Sequence, residues 1–404
     1  MKPRLLFISP FIPAHSGNGP AKRAASTLQV LGDRFDIHLL VASSGPRLNG
    51  AVETMPGHPR EVATVPVRLW PDPRAGLKRM MAAFPWLYRR CFAAPFEWQV
   101  MSRAAFDYPF RETVFDVVHV FRLYSIPVLD FIRARATVGA VWLDLDDVES
   151  STRRELAALR RSRGEYLAAA QCAAEAEQYA RIEADRVPSF DRVFVCSSED
   201  CEHLRTLRIH AAPERAPNVV SAPASPPAAK PRHSPFRFLF VGTLGYLPNM
   251  DGLEWFASDI LPRLKEAAPA PFVIHVVGGG LPRHVAAVLA SRPEMKIDGW
   301  VPDMEPVYRD ADAVIIPLRA GGGTRIKLLE AFAHGCPVIS TVAGARGIDA
   351  DPGRHLLIAD QPAEFAAGCA RLMTDAELSA CLSASAGSLV RERYGAAALT
   401  EVLG

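Results

Sequence analysis

The chain is poor in anything that would staple or anchor it. Its seven cysteines, Cys91, Cys172, Cys196, Cys201, Cys336, Cys369 and Cys381, are odd in number, scattered and without Cys-x-x-Cys spacing. That argues against a disulfide framework and a cysteine zinc site, and suits a reducing compartment. No apolar run approaches the roughly 20 residues needed to cross a bilayer. The apolar stretch after Met1-Lys2-Pro3-Arg4 runs for about five residues, too short for a secretory signal. There is no excess of charge of one sign: 46 Lys and Arg stand against 44 Asp and Glu, so a nucleic-acid partner gains no support. No Walker sequence is present. Gly17-Asn18-Gly19 is a lone Gly-x-Gly whose third glycine position is Lys22, and the second strand ends in Ala42-Ser43 with no acidic residue to hold a ribose. A dinucleotide enzyme is therefore disfavoured. The expected location is cytoplasmic, with peripheral contact on an inner membrane face left open.

What is present is an alternation of short apolar strands with helices. Leu5–Pro10, Asp36–Ala42, Asp116–Val120, Ala140–Leu145 and Arg192–Cys196 read as strands in the first half, interleaved with helices such as Ala21–Leu31 and Ile126–Arg135. A long Ala/Glu/Arg-rich helical region fills about 150–188. The second half repeats the pattern from Phe238 through Phe272–Val277, Met295–Asp298, Ala313–Leu318, Val338–Ser340 and His355–Ile358. This predicts an α/β protein with two Rossmann-like, doubly wound parallel sheets, their carboxyl ends facing a cleft. The predicted domains are 1–220, a Pro-rich linker at 221–235, 236–385, and a C-terminal helix at 386–404 crossing back to the first domain. Residues 74–104 set Arg74, Lys78, Arg79, Arg89, Arg90 and Arg103 among Phe84, Trp86, Leu87, Tyr88, Phe92 and Trp98. That segment reads equally as a membrane or lipid-acceptor contact and as an insertion packing its own aromatics.

The densest chemistry lies at Gly321-Gly322-Gly323-Thr324-Arg325-Ile326-Lys327-Leu328-Leu329-Glu330. It follows an apolar strand and opens a helix. Three glycines let backbone N–H groups approach an anion, and the helix start adds partial positive charge. Arg325 and Lys327 fall in the expected first turn, where cations are unfavourable unless an anion meets them. At 100° per residue, Gly323, Lys327, Glu330 and His334 share a face. A diphosphate at the glycines and Lys327 would leave Glu330 one turn on, able to accept from a sugar hydroxyl pair. The Asp144-Leu145-Asp146-Asp147 run mimics a metal-binding Asp-x-Asp, but acceptor binding or helix capping is the favoured reading.

From Gly321 to Thr341 the sequence resembles the donor-binding signature of the GT-B glycosyltransferases of family 4, group 1. So does Asp303–Leu318. The segment Phe240–Phe256, with its Pro248-Asn249-Met250-Asp251 motif, is similar to the first strand–loop–helix of that donor domain, closest to polysaccharide-associated sugar transferases. Asp298-Gly299-Trp300-Val301 resembles the loop that meets the base. In the first half, Ser16–Gly19, Asp116–Val120 and Pro217–Val220 resemble family segments more weakly. The resemblance implies a retaining, metal-independent transfer from a nucleotide-diphosphate-sugar to a glycan, lipid-linked or small-molecule acceptor, without a cofactor. It implies donor contacts from Gly17, Asn18, Gly19, Gly242, Thr243, Trp300, Val301, Gly322, Gly323, Thr324, Arg325, Lys327 and Glu330.

Three departures stand out. The family's first glutamate, eight positions before Glu330, is here Gly322. Its phosphate-binding Arg is Thr243, and its Lys is missing from the following loop. Arg325 and Lys327 are therefore expected to neutralise the diphosphate instead. Phe121 replaces a histidine near the end of the Asp116–Val120 strand, leaving His119 and Arg122 as the catalytic candidates. A nucleotide-sugar 2-epimerase of the same fold and a non-catalytic sugar-nucleotide binder are the alternatives.

Overall fold

The computed structural model describes residues 2–43, 55–67, 74–84, 86, 88, 91–104, 106–206, 212–221 and 232–404. They form two compact units, Met1–Pro217 with Leu399–Gly404, and Asn218–Ala398. Of the Pro-rich stretch, residues 222–231 lie outside the described residues, as do Leu87, Arg89 and Arg90 of the basic, aromatic segment.

The first unit holds a seven-stranded parallel sheet of β1 (Arg4–Ser9), β2 (Asp36–Ser43), β3 (Glu61–Pro66), β4 (Val114–Phe121), β5 (Thr137–Asp144), β6 (Arg192–Val195) and β7 (Glu214–Arg215). Its order is β3-β2-β1-β4-β5-β6-β7. The second unit holds β8 (Phe236–Val241), β9 (Phe272–Val277), β10 (Met295–Gly299), β11 (Ala313–Ile316), β12 (Val338–Ser340) and β13 (Leu357–Ile358), in the order β10-β9-β8-β11-β12-β13. All pairings are parallel, which explains the unbroken apolar runs. A strand covered by helices on both faces has no solvent side to mark with polar residues. Leu5, Leu6, Phe7 and Ile8 are all fully buried, as are Ala313, Ile315 and Ile316.

Three local readings change. β3 is an edge strand the apolar pattern does not announce: Glu61-Val-Ala-Thr-Val-Pro66 is broken by Glu61 and Thr64 and ends in proline, which an edge tolerates. The helical region near 150–188 is two helices, Glu149–Ser162 and Tyr166–Arg186, because Gly164 adopts a φ of +76° and turns the chain. The helix of the glycine segment begins at Ile326, with Arg325 as its cap rather than in its first turn.

Each sheet contains a point where strand order reverses, between β1 and β4 in the first unit and between β8 and β11 in the second. Connections leaving two neighbouring strands there part to opposite faces and open a crevice at the carboxyl ends. The second unit's two ends lie together: the Val220 N–H donates to the Tyr394 carbonyl at 3.0 Å. The last residues belong to the first unit, where Arg192 donates to the Val402 carbonyl at 2.6 Å.

Candidate functional site

At the carboxyl edge of β8, β9 and β10 three glycine loops lie side by side. The Gly242 N–H donates to Val277 at 3.1 Å, Leu244 to Gly279 at 2.8 Å, and Gly278 to Gly299 at 2.7 Å. Gly278 sits at a φ of +148°, and a Cβ there would run into the Gly242 carbonyl oxygen. Trp300, 66% exposed, stands beside Gly279, while Val301 packs onto the core.

Across the β8/β11 crevice lies the glycine loop. Gly321 and Gly323 have φ values of +127° and +68°, whereas Gly322 needs no such conformation. Arg325 folds back beneath this loop. Its guanidinium donates to the carbonyls of Gly321 and Gly322, to Gly323 at 3.0 Å and to Ala343 at 3.2 Å. At 7% exposure it is spent on neutral backbone acceptors, which corrects the expectation that it meets a diphosphate directly. Its effect passes through the peptide planes. In a trans peptide the N–H of the next residue points opposite to the carbonyl, so gathering these three carbonyls turns the N–H groups of Gly322, Gly323 and Thr324 to the other side.

Lys327, one turn into the crevice, is half-buried and donates to Asn249 Oδ1 at 2.7 Å. Its ammonium lies 4.8 Å from the Phe240 ring centre. Asn249 in turn donates to the Thr243 carbonyl at 2.9 Å, and a Cβ at Gly242 would come within 2.8 Å of Lys327 Nζ. So Gly242, Thr243 and Lys327, distant in sequence, are brought together. Burial, and next the Arg325 charge, push Lys327 down to about 7, with Glu330 pulling it up. Sequence reasoning does not single out Asn249 as a site residue, although it is the second residue of the Pro-Asn-x-Asp motif. The motif's aspartate acts at a different place. Buried Asp251 takes Arg319 through two bonds of 2.6 and 2.8 Å, tying the helix Leu247–Trp255 to the residue two before the glycines. Asn249→Ala is expected to release Lys327 and weaken nucleoside-diphosphate binding by about 1 kcal/mol, read by calorimetry.

Glu330 accepts from the Tyr308 hydroxyl at 3.1 Å, and the fully buried Tyr308 ring stacks on His334 at 4.9 Å. Burial and the Glu330 charge raise the Tyr308 hydroxyl well above its ordinary value, so it remains a donor. Tyr308 thus orients Glu330, and His334 is a packing residue. Tyr308→Phe is expected to lower affinity for a nucleoside diphosphate by about 1 kcal/mol while leaving binding of inorganic pyrophosphate unchanged, the result that the sequence-based expectation for Glu330 at the sugar hydroxyls requires.

In the first unit, Gly17 and Asn18 lie in the exposed loop after β1, and Gly19 opens the helix that follows. Asn18 caps the helix Gly19–Gly32 by accepting from Ala21 N at 3.0 Å, and Gly17 has a φ of +97° with open space around it. His119 is not placed for catalysis. It is fully buried in β4, stacked on Phe7 at 4.8 Å and Phe194 at 5.9 Å, with no partner for either ring nitrogen among the described residues. Burial lowers it to about 4, so it is a neutral core residue. Arg122 is equally committed: it donates to Asp146 at 2.8 Å, Asp147 at 3.2 Å and Glu149 at 2.6 Å. Both Arg122 (φ +71°) and Asp146 (φ +59°) hold backbone conformations costly for non-glycine residues. Buried Arg23 takes Asp144 through bonds of 2.9 and 3.0 Å. The Asp144–Asp147 carboxylates are therefore counter-charges to two buried arginines, and burial with the neighbouring Asp147 charge pushes Asp146 upward. Nothing in the local sequence signals Arg23, 121 positions from its partner.

Residues 235–375 match the family model described as Glycosyl transferases group 1. No curated protein matches the chain. Among solved structures, sucrose-phosphate synthase from Thermosynechococcus elongatus is similar with a TM-score of 0.67 and 14% identity, over 98% of this chain and 96% of that one. Anabaena HepE in complex with UDP and glucose gives 0.62 and 14%, over 98% and 97%. The lipopolysaccharide outer core galactosyltransferase WaaB, in its apo form, gives 0.56 and 14%, over 98% and 97%. At these identities the structural likeness speaks to fold, and the matched segment to chemistry: the chain is a glycosyltransferase of the GT-B fold, with a group 1 glycosyltransferase domain in its second unit.

Proposed function

We propose that the chain transfers a sugar from a nucleoside-diphosphate donor to an acceptor hydroxyl, with retention of configuration and without a metal ion. The observation that carries this reading is the convergence of Lys327, held by Asn249 against Gly242, with the outward amides of Gly322, Gly323 and Thr324 at the β8/β11 crevice. The leaving diphosphate gains negative charge as the glycosidic bond breaks, and fixed N–H donors with one cation stabilise that charge where it develops. Glu330 takes the ribose hydroxyls, and Trp300 with Val301 lies toward the base. The pairing of Asp144, Asp146 and Asp147 with Arg23 and Arg122 supports a reaction that draws on no metal there. HepE is held with UDP, which makes UDP the first ligand to try. The acceptor is a glycan, a lipid-linked sugar or a small molecule.

The test is incubation with labelled UDP-sugars and an acceptor extract, with and without chelator. Labelled acceptor carrying the donor's anomeric configuration, undiminished by chelator, is the expected result. Isomerised donor would instead identify an epimerase. Gly322 favours one other reading, a sugar-nucleotide binder without turnover, because no side chain there can reach the sugar; UDP binding with no product under any condition would establish it.

A further inference from the structure

The helix Ala75–Ala82 is built inside out. Lys78 is fully buried, its ammonium 5.4 Å from the Phe92 ring centre and 5.5 Å from that of Phe96, and Ala82 is buried beside it. On the outer side, Leu77 is 53% and Met80 67% exposed, followed by Phe84 at 57% and Trp86 at 67%. A helix that turns one of its two cations inward and its large apolar residues outward runs against the ordinary burial preference, since Lys is among the residues least often buried. The helix packs on Tyr166–Arg186, where Met81, Ala82, Tyr88 and Phe92 meet Ala170 and Ala174. One turn before Ala170 on that partner helix, Tyr166 (70%) and Leu167 (51%) are also exposed. Six of the eleven large hydrophobics exposed among the described residues thus belong to these two packed helices and the turn after the first.

The charge on the first helix and the turn after it is of one sign, and Glu165, the acid beside Tyr166, is paired with Arg160 and Arg163. The sequence of 74–104 carries six Lys and Arg against one Glu. Within it Arg79 is exposed beside Met80, and Arg161 is exposed in the last turn of the helix Glu149–Ser162, just ahead of Tyr166–Arg186. The single acid, Glu97, is consumed internally by Arg153 and Tyr179. Aromatic and aliphatic tips with exposed arginines fit the region where lipid headgroups meet acyl chains: the tips enter by roughly 5–10 Å and the guanidinium groups pair with phosphates. No helix among the described residues is long and apolar enough to cross a membrane, so helical contact with a bilayer is confined to its surface. We infer that Leu77, Met80, Phe84, Trp86, Tyr166 and Leu167, flanked by Arg79 and Arg161, form a docking face for an anionic lipid bilayer surface.

The experiment uses the full chain with vesicles of phosphatidylcholine, with or without phosphatidylglycerol. Co-sedimentation with the anionic vesicles alone is expected, and bromine-labelled lipid should quench a tryptophan signal that Trp86→Phe removes. Met80→Asp with Phe84→Asp, and separately Arg79→Glu with Arg161→Glu, should each weaken binding at least about tenfold. UDP affinity and thermal midpoint should stay at the wild-type value, since these positions lie outside the donor site. Wild-type protein remaining in the supernatant would overturn the inference, as would charge and apolar variants that sediment like wild type. A dimer in light scattering that the apolar variant abolishes, with no vesicle binding, would assign the face to a second copy of the chain. The quenching measurement needs no stable aspartate variant, so a variant that fails to fold leaves the inference open to refutation.

Discussion

Lys327→Ala lowers affinity for a nucleoside diphosphate by about 1.5–3 kcal/mol, on the order of 10- to 150-fold, in titration calorimetry. The size follows from the loss of a charge-assisted contact beside Arg325, the neighbouring cation, whose guanidinium is turned to backbone carbonyls. The pH dependence carries a sharper signature. In the empty site Lys327 titrates near 7, because burial and the Arg325 charge disfavour its ammonium. An anion reverses that preference and raises the value. Above pH 7, binding must then draw in a proton, so affinity falls as pH rises, and the apparent enthalpy varies with the buffer's own ionisation. In Lys327→Ala this slope disappears. The empty protein shows the opposite trend. Between 7 and the unfolded value near 10.5 the unfolded chain binds the extra proton, so stability rises with pH across that window. A wild-type affinity flat from pH 6.5 to 9, or an alanine variant with unchanged affinity, contradicts the assignment.

Gly278→Ala is expected to be the most damaging small substitution in the second unit. The φ of +148° at this position lies outside what an L side chain adopts, and the added methyl meets the Gly242 carbonyl, a backbone atom that cannot swing aside. Conformational strain of about 1–3 kcal/mol and overpacking of similar size add to roughly 3–5 kcal/mol. Thermal unfolding of the variant should show the loss, and UDP binding should fall with it, since relief of the clash requires the Gly242–Thr243 loop to leave Lys327. Gly17→Ala is the control: its φ of +97° is also unfavourable, but nothing lies within 4 Å, so about 1 kcal/mol is expected. Equal stability of the two variants would refute the packing argument.

Why the glycine segment and its helix were legible, and the roles of its cations were not, comes down to range. Glycine turns, an apolar strand and a 3.6-residue period are local, so β11 and the helix Ile326–Ala333 follow from neighbouring residues alone. The direction a side chain takes is set by partners the sequence does not place. Arg325 and Lys327 are two residues apart and carry the same charge, yet one serves three carbonyls of its own loop and the other reaches an asparagine 78 positions away. His119 illustrates the same limit. Its strand resembles one with a second histidine where Phe121 stands here, but β1 and β6 deliver Phe7 and Phe194 to either side of His119 and make it core. β3 escaped because an edge strand broken by Glu61 and Thr64 carries neither the continuous run of its neighbours nor a clean alternation.

The hydrogen bond between Val220 and Tyr394 makes the gene order misleading as a guide to dissection. The second unit is an insertion within the first, entering and leaving at adjacent points, a topology in which the guest carries its own core and closes its own ends. A fragment spanning 218–398 should therefore fold independently and bind UDP through the second unit's own loops. A fragment cut after residue 217 is incomplete, since it lacks Leu399–Gly404 and with them the Val402 carbonyl that Arg192 engages. Restoring that piece by joining residue 217 to residue 399 through a short flexible linker should raise the thermal midpoint of the host above that of the simple truncation.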